Sequence, residues 1–166
     1  NMIADYFGIK KSDLLEEIIE TEDDSLDDDT VIVDVFSKVF LDAVWCDKTQ
    51  AFKVGEELIP PEWIKNKQSY FGIIMPDNSM DPEFHKNDCL IIREDNKRGK
   101  DGLYCVLEKD NDYATIRKLI NINDGIMVMP LNLNGEFKPK TYLKGTLEFE
   151  SLRILGPVVQ VKRYYD

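Results

Sequence analysis

The stretch Pro76-Asp77-Asn78-Ser79-Met80-Asp81-Pro82-Glu83-Phe84-His85-Lys86-Asn87-Asp88 runs directly into the apolar Cys89-Leu90-Ile91-Ile92. Proline, asparagine, aspartate and serine dominate the first part. Each favours a turn for its own reason: a fixed φ, or a side chain that bonds the nearby backbone. The apolar run that follows is too short for a helix and is bounded by turn signals, so it reads as a buried strand. The segment therefore displays one serine on a compact turn at the mouth of a strand.

The same pattern repeats outward from this point. Short apolar or period-two runs alternate with turn signals, and the predicted strands are Val31–Phe36, Tyr70–Met75, Cys89–Arg93, Leu103–Glu108, Ala114–Ile120, Ile126–Met129 and Leu152–Lys162. Turns are expected at Asp77-Asn78, Lys86-Asn87-Asp88, Arg98-Gly99-Lys100-Asp101-Gly102, Lys109-Asp110-Asn111-Asp112, Asn123-Asp124-Gly125 and Asn132–Gly135. Pro60-Pro61-Glu62-Trp63-Ile64 reads as a short helix with proline in its first turn. Many short strands with one or two small helices predict a mainly β domain over residues 31–166, its edges hidden by closure or pairing.

Ahead of it the pattern changes. Over Met2 to Glu17, Ile3, Ala4 and Phe7 share one helical face, and Gly8 ends the helix as a C-cap. Ser12 then caps a second helix with Leu14, Leu15, Ile18 and Ile19 apolar. Glu16 to Asp29 contains nine acidic residues and no basic one. Such a run repels itself and offers little to a core, so residues 20–30 are expected to be a linker between a helical segment, 1–19, and the β domain.

The 166 residues suffice for one cored domain and a small appendage, and 43% hydrophobic residues is ordinary for a folded chain. A net charge of −11 argues against gripping nucleic-acid phosphates over a broad surface, which needs clustered lysine and arginine. No run approaches the ~20 apolar residues a spanning helix needs. No signal-peptide pattern opens the chain. A cytoplasmic protein without a membrane partner is the expectation.

Cys46, Cys89 and Cys105 show no CxxC or Cys/His spacing, so neither a metal nor a cofactor is expected. Cys89 and Cys105 lie in apolar runs and read as small core hydrophobes. His85, the sole histidine, reads as a solvated turn residue. Tyr104, Phe71, Trp63 and Tyr164-Tyr165 have no basic residues interleaved with them, as a base-stacking platform would need.

Several of these segments, taken in order, resemble one family. The turn Ser79-Met80-Asp81-Pro82 feeding an apolar strand resembles the nucleophile segment of the LexA and phage-repressor family of Ser-Lys peptidases. Asp101-Gly102-Leu103-Tyr104-Cys105-Val106-Leu107 is similar to that family's next strand. Ala114-Thr115-Ile116-Arg117-Lys118-Leu119 is similar to the strand that carries its catalytic lysine. Met129-Pro130-Leu131-Asn132, Phe137-Lys138-Pro139 and Ile154-Leu155-Gly156-Pro157-Val158-Val159-Gln160-Val161 resemble the segments that close the domain. The stretch Ile3 to Leu15 looks like the closing helices of a Cro/repressor-type helix-turn-helix domain, which implies that the DNA-reading helices lie ahead of residue 1.

The resemblance implies that Ser79 stands at the nucleophile position. A Ser-Lys dyad works because a neutral lysine accepts the serine proton, which requires burial to lower a reference pKa of about 10.4. Here the position of that lysine holds Arg117, and arginine stays protonated. Lys118 comes next, and alternation along a strand sends the two side chains to opposite faces. A bulge that re-aims Lys118 is the one route to a base. Self-cleaving members cut an Ala-Gly or Cys-Gly bond upstream of the serine. The corresponding stretch lies near Ala43-Val44, and neither pair occurs anywhere in the chain.

The reading that follows is a DNA-binding transcriptional repressor whose β domain forms a homodimer and does not cleave itself. Operator DNA would be held through the N-terminal domain, and an antirepressor or inducer protein would be a further partner. The alternatives are an active self-cleaving repressor, with Ser79 as nucleophile and Lys118 as base, and a standalone peptidase acting on other chains.

Overall fold

In the computed structural model of the protein, residues 31–37, 39, 52–97, 99–111, 113–134 and 136–165 are described. The expected helical segment 1–19, the linker 20–30, Ala43-Val44 and Cys46 lie outside these residues. The described residues form nine strands: β1 Val31–Phe36, β2 Lys53–Ile59, β3 Tyr70–Ile74, β4 Cys89–Arg93, β5 Gly102–Leu107, β6 Thr115–Ile122, β7 Gly125–Met129, β8 Lys140–Leu143 and β9 Arg153–Lys162. A five-residue helix, α1, spans Leu147–Ser151, capped by the Thr146 hydroxyl, which accepts the Phe149 N–H at 3.1 Å. The domain is mainly β, as expected.

All seven predicted strands are present, with ends differing by at most two residues. Two further strands, β2 and β8, and the helix α1 were not anticipated. The strands run in the order β2-β1-β3-β4-β9-β5-β6-β7-β8, so both unanticipated strands are edges. An edge strand leaves one side to water and carries polar residues there. Lys-Val-Gly-Glu-Glu-Leu-Ile and Lys-Thr-Tyr-Leu accordingly lack an apolar run.

The described residues within 33–57 and 68–165 make one compact unit. At its centre is β4, in which Leu90, Ile91 and Ile92 are all fully buried. The strand pairs antiparallel with β3 on one side and β9 on the other. β9 bridges two regions of the sheet: Val158–Lys162 pair with β4, and Arg153–Pro157 pair with β5. The changeover falls between Pro157 and Val158, just after Gly156, whose φ of +149° suits glycine. A Cβ there would lie 1.7 Å from the Arg93 carbonyl oxygen, so only glycine allows the strand to pass this close.

Two apolar clusters fill the unit. One gathers Phe71, Ile73, Leu90 and Ile92 with Met80 and Phe84 of the serine turn; the other gathers Tyr104, Val106, Leu119, Val128 and Tyr142. Residues 31–32 and 58–67 belong to a separate unit. Its Pro61–Ile64 forms a 3-10 turn, in which the Trp63 N–H bonds the Pro60 carbonyl at 3.1 Å.

Candidate functional site

The turn between β3 and β4 is held from below and from the side. Met80 and Phe84 are buried in the first apolar cluster and anchor the turn as apolar plugs. Its mouth is closed by two backbone bonds, Met75 N–H to the Asp88 carbonyl at 2.8 Å and Asn87 N–H to the Met75 carbonyl at 2.9 Å. Asn87 takes a φ of +80°, a conformation asparagine tolerates well. From the segment after β7, the Leu131 and Asn132 N–H groups both donate to the Ser79 carbonyl, at 3.0 and 2.9 Å, and the Asn132 side-chain amide donates to the Asn78 carbonyl at 2.9 Å. Ser79 is therefore fixed in position, and it is fully buried.

Arg117 reaches the serine from β6. Its Nη1 donates to Ser79 Oγ at 2.7 Å and to the Ile116 carbonyl at 2.8 Å. The Ser79 hydroxyl in turn donates to Asp77 Oδ1 at 2.5 Å, and the Ser79 N–H donates to the same oxygen at 3.1 Å. Behind the guanidinium, Arg117 Nε lies 3.8 Å from Glu108 Oε1, and the Phe137 ring centroid is 5.6 Å from its central carbon. Glu108 Oε2 accepts the Tyr142 hydroxyl at 2.5 Å.

Arg117, Glu108 and Tyr142 are all buried. Burial pulls the Arg117 pKa down, and the carboxylates of Glu108 and Asp77 oppose that pull. Burial, with help from the bond to Glu108, pushes the Tyr142 phenol well above its ordinary value.

Lys118 lies on the other face. β5 and β6 pair without interruption from Gly102↔Leu119 to Val106↔Thr115, and β6 pairs with β7 from Lys118↔Met129 onward. No bulge interrupts the strand at this point. The Lys118 side chain is exposed while its neighbours Arg117 and Leu119 are buried.

His85 is exposed, and Phe71 and Tyr104 are buried. Cys89 and Cys105 are buried free thiols, and burial pushes Cys89 up to about 11 and Cys105 higher still. Among the described residues no helix is long and apolar enough to cross a membrane.

Ser79 and Arg117 were identifiable from the sequence, but their partners were not. Glu108, Asp77, Thr115, Tyr113 and Tyr142 complete the cluster. Asp77 carried a faint signal, since an aspartate two residues before an N–H commonly bonds it. Thr115 was deducible as the residue two before Arg117, hence on its face of the strand.

The fold and this turn define a class: a β-sheet domain that holds a buried turn serine between an arginine and a carboxylate. Residues 41–159 match the family described as Peptidase S24-like, and the chain belongs to that family. No match to a curated protein accompanies it.

Proposed function

We propose that this β domain is the dimerisation module of a DNA-binding transcriptional repressor and that it works without cleaving itself. The observation that carries the second part is the 2.7 Å hydrogen bond from Arg117 to Ser79 Oγ. In a Ser-Lys dyad a neutral amine accepts the hydroxyl proton, and the guanidinium that contacts Ser79 here has no lone pair to offer and stays protonated. Lys118, the nearest amine in sequence, is exposed on the opposite face. The absence of any Ala-Gly or Cys-Gly pair in the sequence supports the same conclusion from the substrate side.

The repressor role rests on family membership together with the order of segments that resembles LexA and the phage repressors. Pairing two chains through the β domain brings two DNA-reading modules to half-sites about one helical turn apart. It raises the effective concentration of the second module and so tightens operator binding. Release then comes from a protein partner or from a shift of the dimer equilibrium.

The test is to follow the intact mass of the chain at pH 7 and pH 10 beside Ser79→Ala, with sedimentation to give the oligomer. Unchanged mass and a dimer are expected. Fragments that form faster at pH 10 and vanish in Ser79→Ala would overturn the reading in favour of a self-cleaving repressor.

A further inference from the structure

The Asp77 carboxylate is surrounded by donors. Ser79 gives it a backbone N–H at 3.1 Å and a hydroxyl at 2.5 Å, both to Oδ1. The Thr115 hydroxyl lies 3.4 Å from each carboxylate oxygen, and the Tyr113 hydroxyl lies 3.4 Å from Oδ2. The Arg117 guanidinium stands directly behind the serine hydroxyl. A local turn explains the Ser79 N–H alone. It does not explain the hydroxyls of Thr115 and Tyr113, which come from a segment more than thirty positions further along the chain.

A backbone N–H and hydroxyls converging on one carboxylate, with a guanidinium bonded to the nearest hydroxyl, are among the means by which proteins hold anions. In serine hydrolases the nucleophile's own N–H is a common donor to the oxyanion that forms during acyl transfer. Here that N–H is already engaged by a side chain. Ser79, Thr115 and Arg117 are buried, so these donors have little water to compete with a carboxylate for them.

We propose that the Ser79 turn is a carboxylate-binding site whose resident ligand is the side chain of Asp77. The ligand class is a small planar monocarboxylate, of the size of acetate or formate. A planar anion with two oxygens matches donors that approach Oδ1 and Oδ2 separately, and a spherical halide does not. In the intact chain Asp77 competes with any such anion, and it withholds the Ser79 N–H from a bound carbonyl. This inference depends on the geometry of the turn and is independent of the repressor reading.

The experiment uses the full chain carrying Asp77→Ala. Its thermal midpoint is measured against sodium acetate and, at matched ionic strength, sodium chloride. Acetate is expected to raise the midpoint along a saturable binding curve, as a ligand specific to the folded state does, while chloride leaves only the shallow response to ionic strength. The parent chain and Asp77→Ala/Ser79→Ala should respond alike to the two salts, because one retains its own ligand and the other lacks the principal donor.

If Asp77→Ala is unfolded in chloride, acetate is expected to refold it. Equal responses of Asp77→Ala to acetate and chloride, or no refolding in acetate, would overturn the proposal. A monomer in the preceding test would leave it untouched.

Discussion

The Arg117 guanidinium donates to the Ser79 hydroxyl at 2.7 Å, and the hydroxyl donates onward to Asp77 at 2.5 Å. The serine thus bridges a cation and a carboxylate: its oxygen accepts from Arg117, and its proton points at the Asp77 carboxylate and not at an amine. With Glu108 on its other side, the buried cation meets one carboxylate directly and a second through the serine hydroxyl.

Removing that cation leaves the buried Glu108 carboxylate with the Tyr142 hydroxyl but without its opposing charge. Arg117→Met keeps much of the side chain's bulk and discards its charge. We expect it to lower unfolding stability by about 3 kcal/mol, the usual cost of breaking a buried ion pair from one side. Ser79→Ala removes only the bridging hydroxyl and should cost about 1 kcal/mol. Urea denaturation of the two variants checks the order, and equal losses would mean that the guanidinium contributes packing alone.

Tyr142 gives the cluster an alkaline signature. Its phenol is fully buried and bonded to Glu108, so its folded pKa lies well above the ordinary value near 10. Below pH ~10 both folded and unfolded states carry the proton, and the tyrosine's contribution is fully present. As pH rises past that value the unfolded chain releases the proton first, so stability falls. The chain has seven tyrosines. Ultraviolet titration should find one that does not ionise until the protein unfolds, and Tyr142→Phe should abolish that late step. The same variant leaves a Glu108 oxygen without its partner and should cost about 1–2 kcal/mol at pH 7.

How much of this was legible in the sequence follows from where each signal resides. β4 announces itself because a strand covered on both faces must be continuously apolar, as Leu90-Ile91-Ile92 is. β2 and β8 bury less and sit at the ends of the sheet, so their sequences resemble loops. Ser79 and Arg117 were legible because a motif marks both positions. Glu108 and Tyr142 were not, because nothing near them in sequence records that β5 ends, and β8 runs, beside Arg117. Contacts of that kind are set by strand order, which a single sequence does not encode locally.

Gly156 tests the strand crossing that sets this order. Alanine at this position would meet the Arg93 carbonyl oxygen at 1.7 Å and must also adopt a φ of +149°. The obstacle is backbone on both counts and cannot rotate away. Gly156→Ala should therefore cost roughly 3 kcal/mol or more, well beyond an ordinary surface substitution. Gly55, whose added Cβ would meet nothing within 4 Å, is the control, and Gly55→Ala should leave the urea midpoint nearly unchanged.

Asp88 ties the serine turn to the C-terminal segment, and this tie should fail in acid. Arg163 grips its carboxylate with two bonds, Nε to Oδ1 at 2.8 Å and Nη2 to Oδ2 at 2.7 Å, while the His85 N–H donates to Oδ2 at 2.8 Å. The Arg163 bonds pull the Asp88 carboxyl below its ordinary range; burial opposes them and the His85 N–H assists. Above pH ~4 the carboxyl is ionised in both states, and the pair's stabilisation is fully present. As pH falls below that, the unfolded chain takes up the proton first and the stabilisation drains away. Asp88→Asn should accordingly be less stable than the parent at pH 7, and the difference should shrink steadily between pH 4 and pH 2. Urea midpoints of the two chains across that range decide the matter. A difference that stays constant in acid would mean that Asp88 holds the turn by shape and not by charge.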